Sequence, residues 1–176
     1  MTAHTFDDDG NGTCQACELP RANARHAAAP DPGGCLDLFV HGLPIAQGSK
    51  RLVGKRMIES SPRLRPWRDT VTAACLDAGF TPVPRGVPAM VLLEFWFPRP
   101  KHHYRTGANA HLLRDGAPVW HTSAPDSDKL ARAAGDSLTA AGVWHDDAQA
   151  ARLVVAKRYA DDPRRVGVRI RVEAQP

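Results

Sequence analysis

The chain is short of several things, and each shortage narrows the field. No stretch approaches the roughly 18 consecutive apolar residues of a membrane-spanning helix, so no membrane partner is expected. The opening residues, MTAHTFDDDGNG, have neither a basic start nor an apolar run. They do not read as a secretory signal, and a cytoplasmic protein is expected. Cysteine is sparse: Cys14, Cys17, Cys35 and Cys75 are scattered along 176 residues. That scatter argues against a disulfide scaffold and agrees with a reducing compartment. No internal repeat is present.

What remains suffices for one compact domain with a real core, since 43% of the residues are apolar. The formal charge of +4 is unevenly spread: residues 1–35 carry a net −3 and the remainder a net +7. A basic body suits a polyanionic partner such as nucleic acid. A genome that favours arginine would give the same surplus, and composition alone does not separate the two.

Residues 1–35 are rich in Asp, Gly, Ala and Pro and end in AAAPDPGG, so they read as a flexible tail and linker. Within them, Cys14, Cys17, His26 and Cys35 offer the donors of a small Zn²⁺ knuckle. The alternative is a disordered tail with idle thiols. The folded part, residues 36–176, opens with a strand from Leu36 to His41. A pliable basic turn follows, IAQGSKRLVGKR, charged by Lys50, Arg51, Lys55 and Arg56, with a candidate strand between the first strand and the helix. SSPRLRPWRDTVTAACLDAGF predicts a helix with Pro66 in its first turn. Trp67, Val71, Ala74 and Ala78 form its apolar stripe, and Gly79 ends it. VPAMVLLEFWFPRP predicts a buried strand.

Residues 99–122 read as a long functional or mobile loop carrying Arg99, Lys101, His102, His103 and Arg105. A helix is predicted from about Asp126 to Ala141, then strands in ARLVVAKRYA and RVGVRIRVEA. The last alternates Val168, Ile170 and Val172 with Arg169 and Arg171, so one face is basic. The sum is a two-layer α+β domain: a mixed sheet packed by two main helices.

Acids gather at two places, Asp126 and Asp128 at the helix start, and Asp146 and Asp147 just past its end. Bland roles exist for each. Asp126 or Asp128 can cap the helix, Asp128 can pair with Arg132, and Asp146 and Asp147 can make a turn. Yet a cap needs one aspartate, not two. Clustered carboxylates repel one another and call for a hard cation, Mg²⁺ or Mn²⁺. In a basic protein that combination points to phosphodiester hydrolysis. Lys129, Arg132 and Lys157 are candidate phosphate-binding cations; the bland reading for each is solvated surface. A helix of fifteen residues is about 22 Å long, so its two ends share a site only if the chain returns or a dimer mate supplies one pair.

The run PDSDKLARAAGDSLTAAGVWHDDAQAARLVVAKRY resembles the core of the RusA family of Holliday-junction resolvases. The resemblance rests on the Asp-x-Asp that opens the helix, GDSLTAAGVW, and DDAQ at 146–149. FVHGLPIAQGSKR and LEFWFPRPKHH extend it over residues 36–173. It implies that the essential carboxylates are Asp126, Asp128 and Asp147, with Asp146 beside them as a further metal ligand. Arg132 falls at the family's basic helix position, where a lysine is often seen, and Lys157 at its downstream strand lysine. Lys129 stands where many members have Asn. The implied protein is a homodimer that cuts four-way DNA junctions with Mg²⁺, in recombination and repair. Lys129, Lys157, Lys50, Arg51 and Lys101 are its expected DNA contacts. The rival readings are a Mg²⁺ nuclease for other branched DNA and a junction-binding protein that has lost catalysis.

Overall fold

The computed structural model describes residues 4–5, 26–27, 36–48, 50–53, 56–59 and 61–175. The chain divides into two units, Met1–Gly34 and Cys35–Pro176. In the first, β1 (His4–Thr5) pairs in parallel with β2 (His26–Ala27). Cys14, Cys17 and Cys35 lie outside the described residues, as does the side chain of His26, so the Zn²⁺ expectation falls there too.

The second unit is a four-stranded mixed sheet with two helices on one face. In chain order it runs β3 (Leu36–His41), β4 (Lys50–Val53), β5 (Arg56–Glu59), α1 (Leu64–Ala78), β6 (Ala89–Phe97), α2 (Ser127–Ala141), β7 (Arg152–Tyr159) and β8 (Gly167–Ala174). The sheet order is β3-β8-β6-β7; β6 and β7 are parallel and the other pairs antiparallel. A parallel pair needs a crossover, and α2 is that crossover. The expected α+β architecture is therefore the one observed. No helix among the described residues is long and apolar enough to cross a membrane.

Side-chain alternation builds the core. Ala89, Val91, Leu93, Phe95 and Phe97 of β6 point with Val168, Ile170 and Val172 of β8 toward the helices. Trp67, Val71 and Cys75 of α1 meet them, as do Leu130, Ala134 and Leu138 of α2. The stripe of α1 thus runs through Cys75, while Ala78 is exposed. Burial pushes the Cys75 thiol up to about 11, which leaves it a small core residue. Alanines on α2 let the helices approach closely, and Thr72 Oγ1 donates to the Ser137 carbonyl at 3.2 Å.

Two departures from the sequence reading matter. The apolar run of β6 reads simply as a buried strand, whereas its two faces are covered differently, and the helices cover only one. On the other, Trp96 is covered by the Arg158 guanidinium, 5.6 Å from its ring, and Arg158 also lies 4.7 Å from Trp120. The basic turn is not a turn alone: Lys50–Val53 and Arg56–Glu59 pair as an antiparallel hairpin. The side chains of Lys50 and Arg51 lie outside the described residues.

At Gly167 the sheet admits no side chain. A Cβ there would stand 2.2 Å from the Val40 carbonyl oxygen and 2.7 Å from the Phe39 ring. His41 pairs with this residue across β3 and β8, so the glycine lets the two strands close at that end.

Candidate active site

The first acidic pair stands where the long loop meets α2. Asp126 occupies the N-cap position in extended backbone geometry, but its side chain accepts no capping bond. Its carboxylate pairs with Lys129 Nζ at 2.8 Å. That bond, and then the Lys129 charge, hold the Asp126 carboxyl below the usual carboxylate range. The same partner raises the Lys129 ammonium. The helix therefore begins with its Asp turned to a cation, not to its own N–H groups. Asp128 lies in the first turn, exposed, and makes no ion pair with Arg132.

The second pair sits at the start of a short 3-10 turn, Asp147–Gln149, with Asp146 as its N-cap, and the two members differ. Asp146 Oδ1 accepts from Ala148 N at 2.8 Å, and Gln149 Oε1 accepts from Asp146 N at 3.2 Å. This is a reciprocal capping box. Gln149 does more. Its Oε1 also accepts from His145 N at 2.9 Å, while Nε2 donates to the Pro84 carbonyl at 2.8 Å and the Val87 carbonyl at 3.0 Å. The turn is thus pinned to the segment before β6. Asp146, expected as a metal ligand, spends an oxygen on the turn. Asp147 has no such duty and is exposed.

A groove of about 350 Å³ joins the two places. Asp128, Arg132, Gly135 and Leu138 line it from one face of α2, Asp147 and Ala150 from the turn, and Leu153 from β7. From Asp128 to Leu138 is ten helical steps, about 15 Å. Asp128 borders the groove at the start of the helix. Asp147 also borders a neighbouring hollow with Thr139 and Ala140, near the end of it. Among the described residues, no three His, Cys, Asp or Glu side chains come together closely enough to hold a metal ion. The polar lining of the groove nevertheless consists of carboxylates and one guanidinium, with no thiol or imidazole. Such all-oxygen donors suit a hard dication such as Mg²⁺.

The remaining expected cations separate. Lys129 is spent on Asp126. Lys157 Nζ donates to the Ser123 and Pro125 carbonyls, both at 2.7 Å. Lys101 is exposed in a 3-10 turn of the long loop. That loop is ordered by bonds within itself and to its base. Arg105 pairs with Asp115 at 2.8 Å, and Arg99 reaches Asp161 and the Pro118 carbonyl, both at 2.7 Å. Gln149 is the residue whose role the motif reading misses. Its signal is present in the sequence: Asp146-x-x-Gln149 has the capping-box spacing.

The model of one protein family, described as Endodeoxyribonuclease RusA, matches residues 42–171, well over half of the chain. The matched region contains both acidic pairs, Arg132 and Lys157. A search of curated proteins finds no match.

Proposed function

The chain belongs to the RusA family of crossover-junction endodeoxyribonucleases and is an enzyme that cuts DNA; from that premise we propose that it resolves four-way junctions as a homodimer, by Mg²⁺-dependent hydrolysis of symmetrically placed phosphodiesters. The observation that carries the reading is the groove shared by Asp128, Arg132 and Asp147. It sets Asp128 and Asp147 at opposite ends of one surface with a phosphate-binding cation between them, so that each end can face the complementary acids of a second copy.

Nucleases of this family depend on a divalent metal ion. Asp126 and Asp128 of one copy, with Asp147 of a second copy, would hold it here. The second copy enters because three acids do not meet within the described residues of one chain. When bound, the ion supplies charge stabilisation and a more acidic water. The chain's own residues do the rest. With an ion bound, Asp126 would be one of the residues that hold it in place of its Lys129 partner, and the Lys129 ammonium would face DNA. The Arg132 guanidinium grips the scissile phosphate with two parallel bonds, and it cannot act as a proton donor near neutral pH. Lys101, Lys50 and Arg51 hold the duplex arms by their phosphates. Two sites on one dimer match a substrate that is resolved only by paired nicks.

A synthetic four-way junction tests this. With Mg²⁺ the full chain should release paired, symmetric nicks; without it, the junction should be bound and left intact. Linear duplex cut as fast as the junction would overturn the substrate assignment. Subunit mixing tests the shared site. Asp128→Asn and Asp147→Asn proteins, each inactive alone, should regain single-strand nicking when co-refolded, since one site of the mixed dimer is then whole. A dead mixture would place all three acids in one chain.

A further inference from the structure

Lys157 is a basic residue on a strand beside the site of a DNA enzyme, and its obvious role is to meet phosphate. Its surroundings give it another. Lys157 is in register with Phe95 on β6. Phe95 is fully buried beneath the helices, so Lys157 projects from the same, helix-bearing face. It is half-buried. The next residue, Arg158, alternates to the opposite face and lies against Trp96 and Trp120.

The outer edge of β7 at this point is occupied by the chain that leads into α2. Tyr159 N donates to the Val119 carbonyl, and His121 N donates to the Lys157 carbonyl, both at 3.0 Å. Trp120 bridges to Arg158 between them. Beyond His121 the backbone pairing stops. There the Lys157 ammonium takes over, donating at 2.7 Å to the Ser123 carbonyl and at 2.7 Å to the Pro125 carbonyl. Pro125 has no N–H with which to extend a ladder, so a side-chain donor is the means left to hold this stretch. The residue after Pro125 is Asp126, and Asp128 follows two later.

We propose that Lys157 is a positioning residue for hydrolysis: by binding the Ser123 and Pro125 carbonyls it fixes the peptide that presents Asp126 and Asp128, and it does not contact DNA phosphate. This rests on the reading of those two aspartates as metal-holding groups. Ammonium-to-carbonyl bonds are charge-assisted and short, so two of them can set a loop's path where backbone pairing has ended. The Lys157 charge also helps to keep the Asp126 carboxyl ionised, after the larger effect of Lys129.

Three measurements on the full chain separate a clamp from a phosphate contact. Lys157→Met removes the donors and keeps most of the aliphatic stem. Its single-turnover rate on a four-way junction should fall by about tenfold or more, as expected for two lost charge-assisted bonds, and its half-saturating Mg²⁺ should rise. Its junction affinity should keep the same dependence on salt, whereas a lost phosphate contact lowers the slope of log affinity against log salt by about 0.9. Acetylation footprinting needs no variant: in native protein without DNA Lys157 should react far more slowly than Lys101, and adding junction DNA should leave the Lys157 rate unchanged while slowing Lys101. A reduced salt slope, unchanged rate and Mg²⁺ requirement, or protection of Lys157 only when DNA is added would each overturn the proposal. If the unaltered protein fails to cut junctions, the functional reading falls, while the footprint still reports on the clamp.

Discussion

Asp126-x-Asp128 and Asp146-Asp147 look alike in the sequence, each a pair of acids at the edge of a helical element. They are built differently. At the second pair one carboxylate serves the backbone: Asp146 caps its turn, and Gln149 closes the box and ties it to the Pro84–Val87 segment. The neighbour, Asp147, is thereby held still with its own oxygens unspent. At the first pair no carboxylate serves the backbone, because Asp126 sits at the N-cap without capping. Order there comes from outside the helix, through the carbonyls that Lys157 binds. An aspartate that declines an available cap forgoes about 1 kcal/mol of local stability. Here the carboxylate serves no backbone group and is turned to Lys129 instead.

The comparison can be broken or sharpened by substitution. The largest effect is expected at the unspent carboxylates. Asp128→Asn or Asp147→Asn should slow junction cleavage by about a thousandfold or more, in the range of a lost electrostatic group at a reacting phosphate. Binding should stay equal or tighten, because a negative charge facing DNA is removed. Equal loss of binding and cleavage in gel assays would mean that the fold, not the site, was damaged. Next comes Arg132. Arg132→Ala should cost about a hundredfold in single-turnover rate, and Arg132→Lys much less, since either cation can meet a phosphate. A near-neutral Arg132→Ala would return this residue to the solvated helix surface.

Smaller effects concern the scaffold of the second pair. Gln149→Ala deletes four hydrogen bonds, and denaturant unfolding should show a loss of about 2 kcal/mol, with cleavage falling through the loosened Asp147. The smallest and most telling test sets the two caps against each other. Asp146→Ala should destabilise by about 1 kcal/mol, the usual cost of a lost cap. Asp126→Ser should leave stability equal or slightly higher, since serine can supply the capping bond that Asp126 withholds, and yet abolish cleavage. Were Asp126→Ser as destabilising as Asp146→Ala, the two pairs would be alike after all.

Much of the fold is legible because it depends on periodicity. The alternation in RVGVRIRVEA and the apolar stripe of α1 are local patterns, and they place β8 and α1 directly. The hairpin of β4 and β5 reads as a turn because its Gly and Lys content hides the pairing. What covers the second face of β6 is not legible in its own run, because Arg158 arrives from β7, far along the chain. The site divides in the same way. Motif spacing locates the acids, but the division of labour between Asp146 and Asp147 depends on which backbone N–H each can reach. The bonds that Lys157 makes are not legible in this way, because its partners, more than thirty residues away, leave no trace in its neighbours.

Gly167 carries a consequence for anyone mapping this enzyme by random mutagenesis. A screen for inactive clones would return substitutions at position 167 together with those at the acidic residues, although Gly167 touches none of them. Even alanine places a methyl group 2.2 Å from the Val40 carbonyl oxygen, so β3 would have to part from β8 at that end. Such clones would look catalytic by activity alone. Their signature would be a low yield of intact protein, so the first purification step already sorts failures of assembly from failures of chemistry.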